Sequence, residues 1–218
     1  MTDTLLRILF PPKCVLCRKV LHDRETDLCH QCRTASPVFS KAKFKLSFIA
    51  RWTCVWYYKD NVRQSLLRYK FSGKRSYAGP YGRLLAMRLQ TDRLDGFDLL
   101  TWVPVGPLRR LRRGYDQVEL LAQAVGRELH VTPVRTLKKV RNTPPQSGLP
   151  NAARRRANVL NAYKAVDPQQ LRGKRVLLLD DILTTGATAS ECARVLLTAG
   201  ASEVIFAAVA AVNHNEHM

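Results

Sequence analysis

The chain has 218 residues, which is enough for one sizeable α/β core with or without a small appendage. Hydrophobic residues make up 46% of it, which excludes a disordered chain, and 36 Lys and Arg against 17 Asp and Glu give a net charge of +19 at pH 7. Such an excess favours a polyanionic partner, namely nucleic acid, a membrane surface or a phosphorylated ligand, and a merely basic surface is the alternative.

No stretch reaches the ~18 consecutive apolar residues of a transmembrane helix. The N-terminal segment MTDTLLRILFPP is too short and too interrupted for a signal peptide, and it has no small-residue cleavage site. We therefore predict a cytoplasmic protein without a membrane span. Since that compartment is reducing, the six cysteines are not expected to form disulfides.

Four cysteines form two C-x-x-C pairs with eleven residues between them: Cys14, Cys17, Cys29 and Cys32. Two such turns can direct four thiolates at one ion, and four protein ligands without an open position are typical of structural zinc. The spacing predicts a zinc-ribbon-like module over residues 1–45, in which the metal stabilises a small core. His22 and His30 could replace a ligand, and a redox motif is the alternative. Cys54 and Cys192 are predicted to be core residues.

Strands and helices alternate after this module. Predicted strands cover RWTCVWYYKD, Phe97–Val105, Arg175–Leu179 and Glu203–Val209, and predicted helices cover Val62–Tyr69, Tyr81–Leu89, Val118–Leu129 and Thr188–Thr198. GPLRRLRRGYDQ is predicted to be a loop, and residues 138–161 have no clear period. The alternation predicts an α/β domain over residues 46–218, with a mainly parallel sheet and helices on both faces.

The segment VLLLDDILTTGAT, residues 176–188, places two acids at the end of a predicted buried strand. Ligands of open α/β sheets bind at this carboxyl edge. The next helix opens with a hydroxyl-rich stretch whose backbone N–H groups favour a phosphate, namely Leu183, Thr184, Thr185, Gly186, Ala187 and Thr188. Asp180 and Asp181 would accept hydrogen bonds from vicinal hydroxyls. The pattern thus predicts a ribose 5-phosphate type of ligand, and the alternative is a plain buried strand followed by a capped helix.

This segment resembles the phosphoribosyl-pyrophosphate (PRPP) motif of type I phosphoribosyltransferases. The resemblance implies the type I phosphoribosyltransferase fold, ribose binding by Asp180 and Asp181, 5-phosphate binding by residues 183–188, and magnesium held largely by the ligand. It also implies that the upstream loop binds pyrophosphate and that residues 138–161 form a flexible flap. The pyrophosphate loop would use Gly106, Arg109, Arg112, Arg113 and Gly114, whereas a solvated basic turn is the alternative for any one arginine.

A second resemblance covers nearly the whole chain. The paired C-x-x-C motifs, YKFSGK, VPV with RGYDQ, TPPQSGL, RRRAN and DDILTTGAT occur in the order typical of the ComF/GntX family of bacterial phosphoribosyltransferase-like proteins. Membership implies a role in DNA uptake during competence or in the use of external DNA as a nutrient, with DNA-uptake or DNA-processing proteins as partners. The sequence departs from the family at Asp116, where Asn is common, and this places a negative charge near the proposed pyrophosphate loop.

Three functions stay open on the sequence. The protein could be a pentosyltransferase that transfers the phosphoribosyl group of PRPP to a nucleobase and releases pyrophosphate, although no base pocket or general base is readable. It could bind single-stranded DNA through its basic clusters, with Trp52, Trp56, Tyr57 and Tyr58 either stacking on bases or packing in the core. It could also sense PRPP without turnover, because fold does not fix function.

Overall fold

The computed structural model describes residues 10–22, 24–40, 46–143 and 152–213. A four-stranded sheet contains β1 (Arg51–Tyr57), β2 (Leu99–Trp102), β5 (Arg175–Leu183) and β6 (Glu203–Ala211). Its order is β1-β6-β5-β2, and all neighbouring strands are parallel. A separate antiparallel pair joins β3 (Leu137–Lys139) to β4 (Tyr163–Ala165). The predicted parallel sheet is therefore confirmed.

Helices cover both faces of the sheet, as predicted. Their bounds are α1 His30–Ala35, α2 Asp60–Phe71, α3 Ala78–Thr91, α4 Pro107–Arg113, α5 Gln117–Glu128, α6 Ala152–Val159 and α7 Ala187–Thr198. Successive side chains of a strand point to opposite faces. Leu177 and Leu179 accordingly pack in one core with α3 and α5, while Val176 and Leu178 pack in a second core with α7. Burial on both faces explains the unbroken apolar run of β5.

The described part of the cysteine-containing module shares the first of these cores. Cys14 and Leu16 belong to the same buried cluster as Val55 and Trp56 of β1. An isolated antiparallel bridge also pairs Val38 with Trp56. The packing of the module is thus continuous with that of the sheet, and the division at residue 45 stays a prediction.

Two local predictions are wrong, and a third, the flap, stays a prediction. The segment after Gly106 is the helix α4 and not a loop, because Pro107 begins it and Gly114 ends it with a φ of 73°. Strand β5 continues to Leu183, so the paired acids lie within the strand. Residues 138–161 contain part of β3 and the helix α6, while residues 144–151 of the predicted flap lie outside the described ranges.

The aromatic residues of the first strand pack mainly against other aromatic rings. The ring centroid of Phe39 lies 5.2 Å from Trp52 and 5.1 Å from Tyr57, and Trp56 meets Tyr81 edge-on at 6.4 Å. These contacts favour core packing over base stacking for all three strand residues. In the part of the chain that the structure describes, no helix has the length and apolar character needed to cross a membrane.

Candidate ligand site and metal centre

A cleft of about 840 Å³ opens where β2 and β5 end. Its lining contains both predicted acids, two predicted arginines and four of the six predicted phosphate-loop residues: Asp180, Asp181, Arg109, Arg113, Leu183, Thr184, Gly186 and Thr188. The volume lies in the usual range for a small-molecule site. Thr185, Ala187, Gly106 and Gly114 do not line the cleft, and the side chain of Arg112 lies outside the described part of α4.

The two acids have different surroundings. Asp181 is buried, with Lys70 Nζ 2.9 Å from its Oδ1, and Gln117 Nε2 donates to its Oδ2 at 3.1 Å. Asp180 is half-buried, and its Oδ1 accepts a hydrogen bond from the backbone N–H of Asp181 at 2.8 Å. Burial and the neighbouring Asp181 charge raise the pKa of Asp180 well above its ordinary value, although Lys70 opposes the shift. A hydroxyl donor or a cation would stabilise the ionised form of Asp180.

Backbone N–H groups lie beside the cleft at the start of α7. Gly186 precedes the helix with a φ of 76°, and no side chain caps the first turn. Thr185 Oγ1 is buried without a hydrogen-bond partner among the described residues. Uncapped N–H groups and the helix dipole both attract negative charge. The stretch between Leu183 and Thr188 therefore has the donors that a phosphate group requires.

Three further cations line the cleft, namely Arg109, Arg113 and Lys139. Arg109 Nη2 donates to Thr143 O at 3.1 Å, and the guanidinium of Arg113 lies 5.0 Å from the ring centroid of Phe71. Lys139 Nζ donates to Thr143 Oγ1 at 2.8 Å. Burial, together with the charge of Arg109, lowers the pKa of Lys139 to about 8. These groups make one another less stable as cations, so an anion placed between them would be stabilised.

Sequence reasoning missed three residues of the site. Gln117 follows RGYD, Lys70 lies in YKFSGK, and Lys139 lies at the end of β3. Lys70 and Gln117 lie in the motifs YKFSGK and RGYDQ, which could have marked them as site residues. Their pairing with Asp181 is a tertiary contact that the motifs do not indicate. No sequence pattern indicates Lys139.

Asp116 has a structural role that explains its place in the loop. Its Oδ1 caps α5 by accepting from the backbone N–H groups of Val118 at 2.9 Å and Glu119 at 3.1 Å. Its Oδ2 accepts from the N–H of Val105, at the end of the β2 segment, at 3.0 Å. Burial raises the pKa of Asp116, while these three N–H groups oppose the rise. Asp116 thus ties α5 to the segment that follows β2, and it does not line the cleft that contains Asp180 and Asp181.

Substituting Asp116 with Ala is expected to reduce the free energy of unfolding by about 2–4 kcal/mol, because the substitution removes a cap and leaves a partly buried N–H without an acceptor. Asp116→Asn should cost less, since one oxygen can still cap α5. The matched control is Asp167→Ala, which removes a cap on a short 3₁₀ helix and should cost about 0.5–1 kcal/mol. Urea unfolding measures all three, and equal losses for Asp116→Ala and Asp167→Ala would contradict the assigned role.

The four predicted zinc ligands lie together. The Sγ atoms of Cys14, Cys17, Cys29 and Cys32 are all within 4.8 Å of one another, and the Sγ atoms of Cys17 and Cys29 are 3.6 Å apart. A tetrahedral zinc with Zn–S bonds of ~2.3 Å requires sulfurs roughly 3.8 Å apart. Among the described residues, no histidine joins this group. The backbone N–H groups of His22 and His30 both donate to the carboxylate of Glu25.

Two family models match the chain. Residues 112–218 match the phosphoribosyl transferase domain, and residues 5–43 match the double zinc ribbon domain. Together with the parallel sheet and the four-cysteine cluster, these matches define the class: a type I phosphoribosyltransferase domain with an N-terminal zinc ribbon. The glutamine PRPP amidotransferase from B. subtilis is similar to 64% of this chain and 30% of its own chain, at 22% identity and a TM-score of 0.44.

Individual similar proteins indicate a narrower group within this class of proteins. Competence protein F of Haemophilus influenzae is 28% identical over 215 residues, or 88% of this chain and 93% of that protein. Competence protein ComFC of Bacillus subtilis is 26% identical over 91% of this chain and 85% of its own. DNA utilization protein YhgH of Escherichia coli K12 is 35% identical over 140 residues, which span 62% of this chain and 60% of that protein. The chain is therefore similar to proteins of the ComF family, two of which match it over most of its length.

Proposed function

We propose that the cleft binds PRPP, or another ribose 5-phosphate ligand, together with magnesium, and that the protein acts in bacterial DNA uptake or in the use of external DNA. The observation that carries the proposal is that one cleft is lined by both acids, by four residues of the predicted phosphate loop and by several cations. The names of the relatives, two competence proteins and a DNA utilization protein, support the biological role. A cytoplasmic location is part of the proposal, because a reducing compartment keeps the four clustered thiols available for zinc.

Each part of PRPP has a counterpart in the cleft. The 5-phosphate would bind the backbone N–H groups at the start of α7, and the ribose hydroxyls would donate to Asp180 and Asp181. The pyrophosphate would lie near Arg109, Arg113 and Lys139, whose charges suit phosphate oxygens. Adjacent carboxylates, one with a raised pKa, also fit a site that receives a magnesium-bound ligand. Magnesium would add charge neutralisation to the pyrophosphate.

Isothermal titration with magnesium and three ligands tests the proposal. PRPP should bind at one site more tightly than ribose 5-phosphate or pyrophosphate, because only PRPP reaches the phosphate loop, the acids and the cations together. A general attraction of a basic protein for polyanions predicts a different result. Equal affinities for PRPP, ribose 5-phosphate and pyrophosphate would therefore contradict the proposal.

Turnover distinguishes a transferase from a sensor. In a transferase, a nitrogen nucleophile would displace pyrophosphate from C1 of the ribose through an oxocarbenium-like state, aided by positioning and charge stabilisation. Pyrophosphate release is measured with a panel of nucleobases. Base-dependent release identifies a nucleobase phosphoribosyltransferase, whereas PRPP binding without release with any base identifies a non-catalytic PRPP sensor.

A nucleic-acid-handling role is the second candidate, favoured by the net charge of +19. If DNA phosphates pair with the surface cations, affinity for single-stranded DNA should fall steeply between 50 and 200 mM salt, by roughly 10³-fold or more for six or more phosphate contacts. Fluorescence anisotropy with a labelled oligonucleotide measures this dependence. An absence of binding at 50 mM salt would remove the candidate.

A further inference from the structure

One face of α2 is attached to the first cysteine knuckle. Ser65 Oγ donates to Val15 O, and Arg68 Nη2 donates to Leu16 O. Both carbonyl groups belong to residues between Cys14 and Cys17, the two thiols of that knuckle. Ser65 is fully buried. The backbone that shapes half of the zinc site is therefore also the hydrogen-bond partner of this helix.

The first turn of α2 meets the second knuckle. Asn61 Nδ2 lies 3.4 Å from Cys32 Sγ and 3.4 Å from Ser36 Oγ. An amide donor to a metal-bound thiolate is the kind of outer contact that orients a ligand. Asn61, Ser65 and Arg68 are spaced by four and three residues, so they form one stripe along the helix.

The opposite face of the same helix lines the ligand cleft through Arg63, Leu67 and Lys70. These residues are also spaced by four and three, and each lies two positions after a residue of the first stripe. Two residues correspond to about 200° of rotation around an α-helix. The two stripes consequently lie on opposite sides of α2, and Lys70 contacts Asp181 at 2.9 Å.

We propose that the zinc module positions the ligand cleft through α2, so that zinc binding and ligand binding favour each other. When zinc joins the two C-x-x-C turns, their contacts with Asn61, Ser65 and Arg68 fix the position of α2. The position of α2 in turn places Lys70 against Asp181 and Arg63 in the wall of the cleft. The inference rests on the proposed PRPP site. Coupling between two binding sites is reciprocal in free energy. Zinc should therefore tighten ligand binding, and ligand should slow zinc loss.

Titration of zinc-loaded variants with magnesium and PRPP tests the coupling. Asn61→Ala and Arg68→Ala should retain zinc but bind PRPP about 10-fold more weakly, within the usual range of coupling between sites. Arg68→Lys keeps a donor for Leu16 O and should recover part of the affinity. The control is Arg83→Ala, which breaks the contact between Asp27 and α3 but leaves α2 untouched. It should bind as wild type does.

The effect of the ligand on zinc binding is measured by the rate of zinc transfer to a chromogenic chelator. Saturating PRPP with magnesium should slow zinc release from wild type several-fold, and Lys70→Ala should reduce this effect. If wild type binds PRPP but all variants bind it equally and zinc release is unchanged, the coupling is wrong while the PRPP site stands. If wild type does not bind PRPP, the proposed function itself fails.

Discussion

Cys29→Ser should remove zinc and reduce the free energy of unfolding by about 4 kcal/mol or more, the range in which loss of a structural metal falls. The four thiols surround one small volume, so loss of one ligand opens the site. The effect should extend beyond the module, because Cys14 and Leu16 pack in the same core as β1 and α2. Thermal unfolding with metal analysis measures it, and wild type should contain about one zinc per chain.

His22→Ala and His30→Ala are the matched controls for the cysteine prediction. Both histidines lie next to the knuckles, but only their backbone N–H groups bond to Glu25 in the described contacts. Each variant should therefore keep its zinc and its wild-type melting temperature. A full complement of zinc in Cys29→Ser, or loss of zinc in either histidine variant, would contradict the four-thiolate assignment.

Asp180→Asn should weaken PRPP binding by about 10- to 100-fold without lowering stability. A hydrogen bond to a charged group contributes roughly 1.5–3 kcal/mol, which sets the size of the affinity loss. The raised pKa of Asp180 means that ionising this carboxyl costs more free energy in the folded protein than in the unfolded chain. Its stabilising contribution is full below the unfolded pKa and is lost as pH rises through the folded pKa. Asparagine stays neutral, so at pH 7 the variant should be as stable as wild type or more stable.

The pH dependence separates this account from a purely structural role for Asp180. Stability of wild type relative to Asp180→Asn should rise as pH falls through the folded pKa of the acid and level off below the unfolded value near 3.8. The charge-matched control is Asp95→Asn, which removes an exposed acid elsewhere. It should leave PRPP affinity unchanged. Equal affinity losses in the two variants would indicate an effect of net charge alone.

The sequence predicted the four-cysteine cluster and the position of the paired acids next to the start of α7 because both depend on short spacings. Two C-x-x-C turns place four thiols together, and only Thr184, Thr185 and Gly186 separate β5 from α7. The parallel sheet followed from alternation of strands and helices. Features of this kind can be predicted from the sequence because they depend on residues that are close together along the chain.

Other features depend on contacts between distant segments. Nothing in the sequence pairs Lys70 or Gln117 with Asp181. The half-buried Lys139 reaches the cleft from the β3–β4 pair, which joins segments distant in the sequence. The α4 error has a local cause, since the arginine-rich sequence suggested a solvated turn. Leucine and arginine are good helix formers, and Pro107 and Gly114 supply the start and the end.

A crystal structure of the zinc-loaded protein with magnesium and PRPP tests the central claim most directly. The 5-phosphate should lie within hydrogen-bond distance of the backbone N–H groups of residues 184–188, with the ribose hydroxyls on Asp180 and Asp181. The pyrophosphate should extend toward Arg109 and Lys139. A ligand bound away from the β5–α7 turn, or bound with its pyrophosphate in place of the 5-phosphate, would contradict the account.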